Sequence, residues 1–99
     1  MYASVTEAQV NPDRIEDINS LYEKVLPTLR SAAGWLGVYV VVDRSTGAGH
    51  LLGLWETEAD AKAFETGGTF QRVLEEYPPG ILVAPPKRSI GEVIFHATA

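Results

Sequence analysis

Few side chains in this sequence can move a proton or attack a carbon. The 99 residues include two histidines, four tyrosines, two tryptophans and no cysteine. The missing cysteines exclude disulfides, thiol nucleophiles and thiolate metal sites. His96 is the candidate general base, because a neutral imidazole titrates near working pH. Its competing reading is a hydrogen-bonded strand histidine, or one exposed at the dimer rim. His50 follows a glycine-bearing loop and reads as solvent-facing, and two histidines so far apart argue against a structural zinc site. The phenols of Tyr22 and Tyr39 could hydrogen-bond a ligand, or pack with a wet tip. Ser4 and Thr6 are small polar residues on a stretch otherwise suited to burial. Trp55 is a large aromatic whose indole N–H needs an acceptor. Glu75–Glu76 and Glu56/Glu58 read as solvated helix residues, and no phosphate-binding loop is present.

The elements that must position these residues follow from periodicity. Tyr2–Val10 reads as a strand with Tyr2, Ser4 and Thr6 on one face and Ala3 and Val5 on the other. Asn11-Pro12-Asp13 is a helix start, with Asn11 as cap and Pro12 at the first helical position. Ile15, Ile18, Leu21, Tyr22, Val25, Leu26 and Leu29 then form one apolar stripe, interrupted by Pro27 and stopped at Gly34. Two strands, Leu36–Asp43 and His50–Glu56, flank a polar, glycine-bearing loop. Thr57 caps a second helix that Gly67-Gly68 interrupts and Thr69–Tyr77 resumes. Pro78-Pro79-Gly80 ends it. Glu92–Thr98 is the expected last strand, with His96 beside Glu92 and Ile94 on one face. Ile81–Ala84 is a short apolar stretch that could reach a partner chain. The order β-α-β-β-α-β predicts one α+β domain over residues 1–99, a ferredoxin-like fold with an antiparallel sheet whose first and third strands are central.

One strand breaks the pattern expected of a sheet with one wet face. Val38, Tyr39, Val40, Val41 and Val42 are all apolar, so both faces want cover. Two helices can cover one face. A second copy of the same sheet is the simplest cover for the other, and a homodimer through the sheet face is expected.

The balance of 8 basic against 13 acidic residues, a net charge of −5, disfavours nucleic acid as a partner. The one adjacent basic pair, Lys87–Arg88, reads as a solvated loop. No run reaches membrane-spanning length, and the N-terminus has neither a charged leader nor an apolar signal core. A cytoplasmic protein is expected, without a membrane partner.

Several stretches together resemble the antibiotic biosynthesis monooxygenase family of the dimeric α/β-barrel superfamily. They are Tyr2-Ala3-Ser4-Val5-Thr6, Val25-Leu26-Pro27 before Gly34-Trp35, Val42-Asp43-Arg44, and above all Leu54-Trp55-Glu56-Thr57-Glu58. The resemblance spans nearly the whole chain. It implies two sheets packed face to face as a dimeric α/β barrel, with one pocket per subunit between sheet and helices. It further implies that Trp55 lines that pocket and could donate its indole N–H to a developing oxyanion. Phe64 and Phe70 stand where the family places helix aromatics, and with Ser4, Thr6, Tyr22 and Tyr39 they complete the implied substrate-binding set.

The resemblance therefore implies a small monooxygenase-like protein that works on an aromatic or polyketide-type substrate without metal or flavin. Trp55 and His96 are its candidate catalytic residues. The alternative is a dimer of the same shape that binds a small apolar ligand without chemistry, and a third is a stress-associated dimer with no retained pocket function. Two departures bear on the choice. Related enzymes place an amide side chain on the first strand, where this chain has Ser4, Val5 and Thr6. Haem-degrading relatives carry an iron-ligating histidine on the second helix, where the matching residue is Leu74, so haem degradation is not expected.

Overall fold

The computed structural model covers residues 1–99. Strands β1 (Tyr2–Gln9), β2 (Trp35–Val42), β3 (Ala48–Trp55) and β4 (Lys87–Glu92) form one antiparallel sheet in the order β2-β3-β1-β4. Helices α1 (Glu16–Arg30), α2 (Glu58–Thr66) and α3 (Thr69–Glu75) supply the second layer. This is the α+β ferredoxin-like arrangement expected, with β1 and β3 central.

Local chemistry explains the element ends. The Asn11 side chain accepts from the Asp13 N–H, but it caps a single 3₁₀ turn, Pro12–Arg14, and α1 proper begins only at Glu16. Pro27 is accommodated inside α1, on an exposed position near its end. Thr57 accepts from the Asp60 N–H and opens α2, as expected. Gly68, at φ 84°, separates α2 from α3 in a backbone conformation that side chains disfavour.

The main core gathers Leu21, Val25 and Leu29 of α1, Ala61 and Phe64 of α2, Val73 of α3 and Trp55 of β3. All three helices thus press on the sheet face that carries Trp55. The register places Gly53 and Ile90 on either side of Ser4, and Leu51 and Arg88 on either side of Thr6. The other face aligns Tyr39, Leu52, Val5 and Ser89 in one row. There Tyr39 is 64% exposed and Val41 is exposed too. The doubly apolar strand is therefore real, and one of its faces has no cover within the chain.

The last strand differs from the expectation. Residues Lys87–Glu92 form it, not Glu92–Thr98. The reason is its pairing with β1. Glu92 already lies opposite Tyr2, and the Val93 N–H reaches the Met1 carbonyl at 2.9 Å. The pairing with β1 ends there, and the apolar run Val93–Phe95 forms no strand within the chain despite its propensity. The Lys87–Arg88 pair is consequently strand and not loop. Ile81–Ala84 also finds its place at home. Leu82 bridges Val10, and backbone bonds join Asn11 to Ile81 and Val83 to Gln9.

Candidate functional site

A cavity of about 50 Å³ lies between the sheet and the helices. Strands supply its floor, with Ser4, Thr6, Gly53 and Trp55 on alternate positions of β1 and β3. Helices supply its roof, with Tyr22 of α1, Phe64 of α2 and Phe70 of α3. Tyr77, just past α3, and Arg88 of β4 complete the polar part of the wall.

Trp55 is 2% exposed, and its indole N–H donates to the Ser4 hydroxyl at 3.2 Å. Gly53 makes that reach possible. A Cβ at this position would sit 2.7 Å from Ser4 Oγ and 3.3 Å from the indole nitrogen. Ser4 therefore accepts from Trp55 and keeps its own proton to donate. The aromatic wall continues through Phe64, 5.0 Å from the Trp55 ring, and Phe70, 6.2 Å from Phe64.

The hydroxyls of Tyr22 and Tyr77 hydrogen-bond each other, with the rings edge to face at 6.1 Å. One bond between two hydroxyls leaves one O–H free to donate. Burial, and then the neighbouring Tyr77 phenol, push Tyr22 far above the usual tyrosine range. Burial raises Tyr77 as well, partly offset by its bond to Tyr22. Both phenols therefore stay protonated in any neutral buffer, and neither serves as a base.

Arg88 was not among the residues expected at a site. Its side chain is 5% exposed. The guanidinium carbon lies 5.3 Å from the Phe64 ring centre and 5.0 Å from that of Phe70. Nη2 donates to the Ala61 carbonyl at 2.9 Å, while Nε sits 3.4 Å from the Glu65 carboxylate without a hydrogen bond. Burial lowers its pKa from the usual arginine value, and the Glu65 charge opposes that shift. It remains a cation. Alternation could have found it: Arg88 and Ile90 face in while Lys87 and Ser89 face out. The glycine inside Leu51-Leu52-Gly53-Leu54 was a second unused signal, since a strand glycine marks a close approach.

Six of the expected residues thus meet at one cavity: Ser4, Thr6, Tyr22, Trp55, Phe64 and Phe70. Two do not. Tyr39 points to the opposite sheet face. His96 lies beyond β4, exposed, near Ala3, Val5 and Tyr39 on that same outer face. The sheet separates it from Trp55, because a strand expected to hold it never forms. His50 is exposed beside Val41, as expected of a solvent-facing residue. The cavity wall carries no carboxylate and no imidazole, and Arg88 is its single charge. Leu74 lines it with an alkyl group, and neither a histidine nor the methionine does. With its two tyrosines paired and protonated, the wall offers no usual iron ligand, so these residues do not fit a haem.

Comparisons with known proteins agree on the fold. A family profile described as antibiotic biosynthesis monooxygenase matches residues 1–76. No curated protein sequence matches the chain. Among solved structures, a Bordetella bronchiseptica protein assigned to the antibiotic biosynthesis monooxygenases is 19% identical with a TM-score of 0.78, over 95% of this chain and 97% of that one. A Nitrosomonas europaea protein with the same assignment is 16% identical with a TM-score of 0.72, over 96% and 100%. A haem degrader from Mycobacterium tuberculosis, solved with two haems in its active site, is 10% identical with a TM-score of 0.78, over 99% and 100%. At these identities the structural likeness speaks for the fold alone.

Proposed function

The chain belongs to the antibiotic biosynthesis monooxygenase family, and we propose that it is a cofactor-independent, monooxygenase-like protein acting on a small aromatic or polyketide-type substrate held against Trp55. One observation carries the reading. The cavity is aromatic and apolar, and it holds donors for a developing oxyanion: the Ser4 and Thr6 hydroxyls, the one O–H that the Tyr22–Tyr77 pair leaves free, and the Arg88 guanidinium. For an anthrone-type substrate the balance needs no external reductant. The ring CH₂ loses a proton, and the resulting anion passes an electron to dioxygen. The radical pair joins as a peroxide, and loss of water leaves the ketone. One oxygen atom stays in the product and the other departs with both hydrogens.

The cavity is smaller than the roughly 150 Å³ that a benzene-sized guest occupies in an engineered core. Admitting a substrate requires one wall to move. The short α3 fits that role: Phe70, Val73 and Leu74 line the cavity, and Gly67-Gly68 and Pro78-Pro79 bound the helix.

Oxygen uptake with a panel of anthrones and hydroquinones tests the reading. Turnover by the wild type and its loss in Trp55→Phe would support it. A specific observation favours a second reading, a non-catalytic ligand-binding dimer. The wall lacks any group that could accept the substrate's proton, since His96 lies outside and both tyrosines stay protonated. Ligand-dependent quenching of tryptophan fluorescence without oxygen uptake would select it.

The assembly we propose is a homodimer through the exposed sheet face, where Tyr39 and Val41 stand uncovered and the tail adds Ile94 and Phe95. No helix is long and apolar enough to cross a membrane. A cytoplasmic location, in keeping with the sequence, forms part of the proposal.

A further inference from the structure

We infer that Arg88 is the anion-recognising residue of this cavity, and that the ligand is a planar aromatic molecule bearing one ionised oxygen group, a carboxylate or a phenolate. The inference rests on the cavity being a ligand site, as proposed above. It does not require that the ligand be oxidised.

A guanidinium offers five N–H donors and cannot shed its charge in a protein. Here the side chain is almost fully buried, yet among its nitrogens only Nη2 is hydrogen-bonded, to the Ala61 carbonyl. Nε is buried with no hydrogen-bond partner at all. The nearest carboxylate, Glu65, is half exposed and stands at ion-pair distance without a hydrogen bond, so water weakens its claim on the charge. Phe64 and Phe70 flank the guanidinium and compensate part of its lost hydration. What remains is a desolvated cation with spare donors on the wall of an otherwise uncharged cavity.

A purely architectural role accounts for one side of the group. Through Ala61 and Glu65, Arg88 ties α2 to β4, and a lysine or a neutral side chain would do much of that. It leaves the remaining donors unexplained. No carboxylate lines the cavity itself, and an anionic oxygen entering it would compete for the guanidinium only with the half-exposed Glu65, 3.4 Å from Nε. The planar fork suits a carboxylate or phenolate edge, and Thr6, directly across the strand pair, adds a hydroxyl. For the phenolate case the arrangement also bears on the missing base: an anthrone that arrives already ionised as its enolate has given up the ring proton to solvent before binding, whereas a carboxylate substituent would leave that proton still to be removed.

The test compares naphthoate with the neutral naphthamide of the same shape, by calorimetric titration of the intact protein. Naphthoate should bind about tenfold tighter or better, a charge-assisted preference. Arg88→Gln should abolish the preference while retaining naphthamide binding, and Arg88→Lys should keep part of it. A nitrophenol adds a coloured arm for the phenolate source, since binding should shift its spectrum toward the ionised form. Both comparisons in the wild type stand even if Arg88→Gln fails to fold. Equal binding of acid and amide, with no shift of the nitrophenol spectrum, overturns this inference and leaves the cavity reading intact. Preference that survives Arg88→Gln overturns it too. If neither naphthalene probe binds, both readings fall. Anion preference without oxygen uptake upholds the inference and removes only the oxygenase chemistry.

Discussion

The indole nitrogen of Trp55 and the hydroxyl of Ser4 lie 3.2 Å apart, joined across a strand position that has no side chain. This pair makes the indole a member of a relay and not a free donor. A ligand oxyanion on the floor would meet the Ser4 proton, polarised by the indole behind it.

Removing the acceptor should therefore cost more than a hydroxyl on the surface would. Ser4→Ala leaves the buried indole N–H without a partner, at about 1–3 kcal/mol. Urea unfolding should show the loss, and unchanged stability would mean that the indole finds another acceptor.

Gly53 and Gly37 form a matched comparison. A methyl at Gly53 meets Ser4 and Trp55, whereas one at Gly37 meets nothing within 4 Å. Gly53→Ala should be the more destabilising of the two and should perturb the near-UV signal of Trp55. Gly37→Ala should leave that signal alone.

Alkaline pH should weaken the fold through Tyr22 and Tyr77. Both folded-state pKa values are raised above the ordinary tyrosine value of 10.0. The unfolded chain therefore releases these protons first. Their contribution is full below pH 10 and declines as pH climbs above it toward the folded values. Denaturant midpoints measured on both sides of pH 10 should fall for the wild type and fall less for a Tyr22→Phe/Tyr77→Phe double variant.

The uncovered sheet face supplies a fourth expectation. Sedimentation at low micromolar concentration should show a dimer for the wild type, and Val41→Lys should shift it toward monomer while the far-UV spectrum holds. A folded wild-type monomer at that concentration would remove the proposed interface.

Much of the fold was legible because the apolar periods were long and clean. The stripe from Ile18 to Leu29 becomes the buried face of α1, and the contrary strand Val38–Val42 shows an uncovered face. What escaped was set by distant partners. Val93-Ile94-Phe95 has strand chemistry, but β1 ends opposite Glu92, and no local pattern reveals where a neighbour stops. The site divides in the same way. Ser4, Thr6 and Trp55 could be placed by strand alternation, and Phe64 and Phe70 by their place in the resemblance. Arg88 looked solvated beside Lys87, because a charged pair after two prolines resembles a loop until its strand partner is known.

Alternation along β1 has a practical consequence. Ser4 and Thr6 face the helices, while Ala3 and Val5 face away. Odd and even positions thus answer to different selective demands. An engineer, or evolution, could redraw what the interior recognises by editing one parity and retune self-association by editing the other, with neither change passing through the backbone they share.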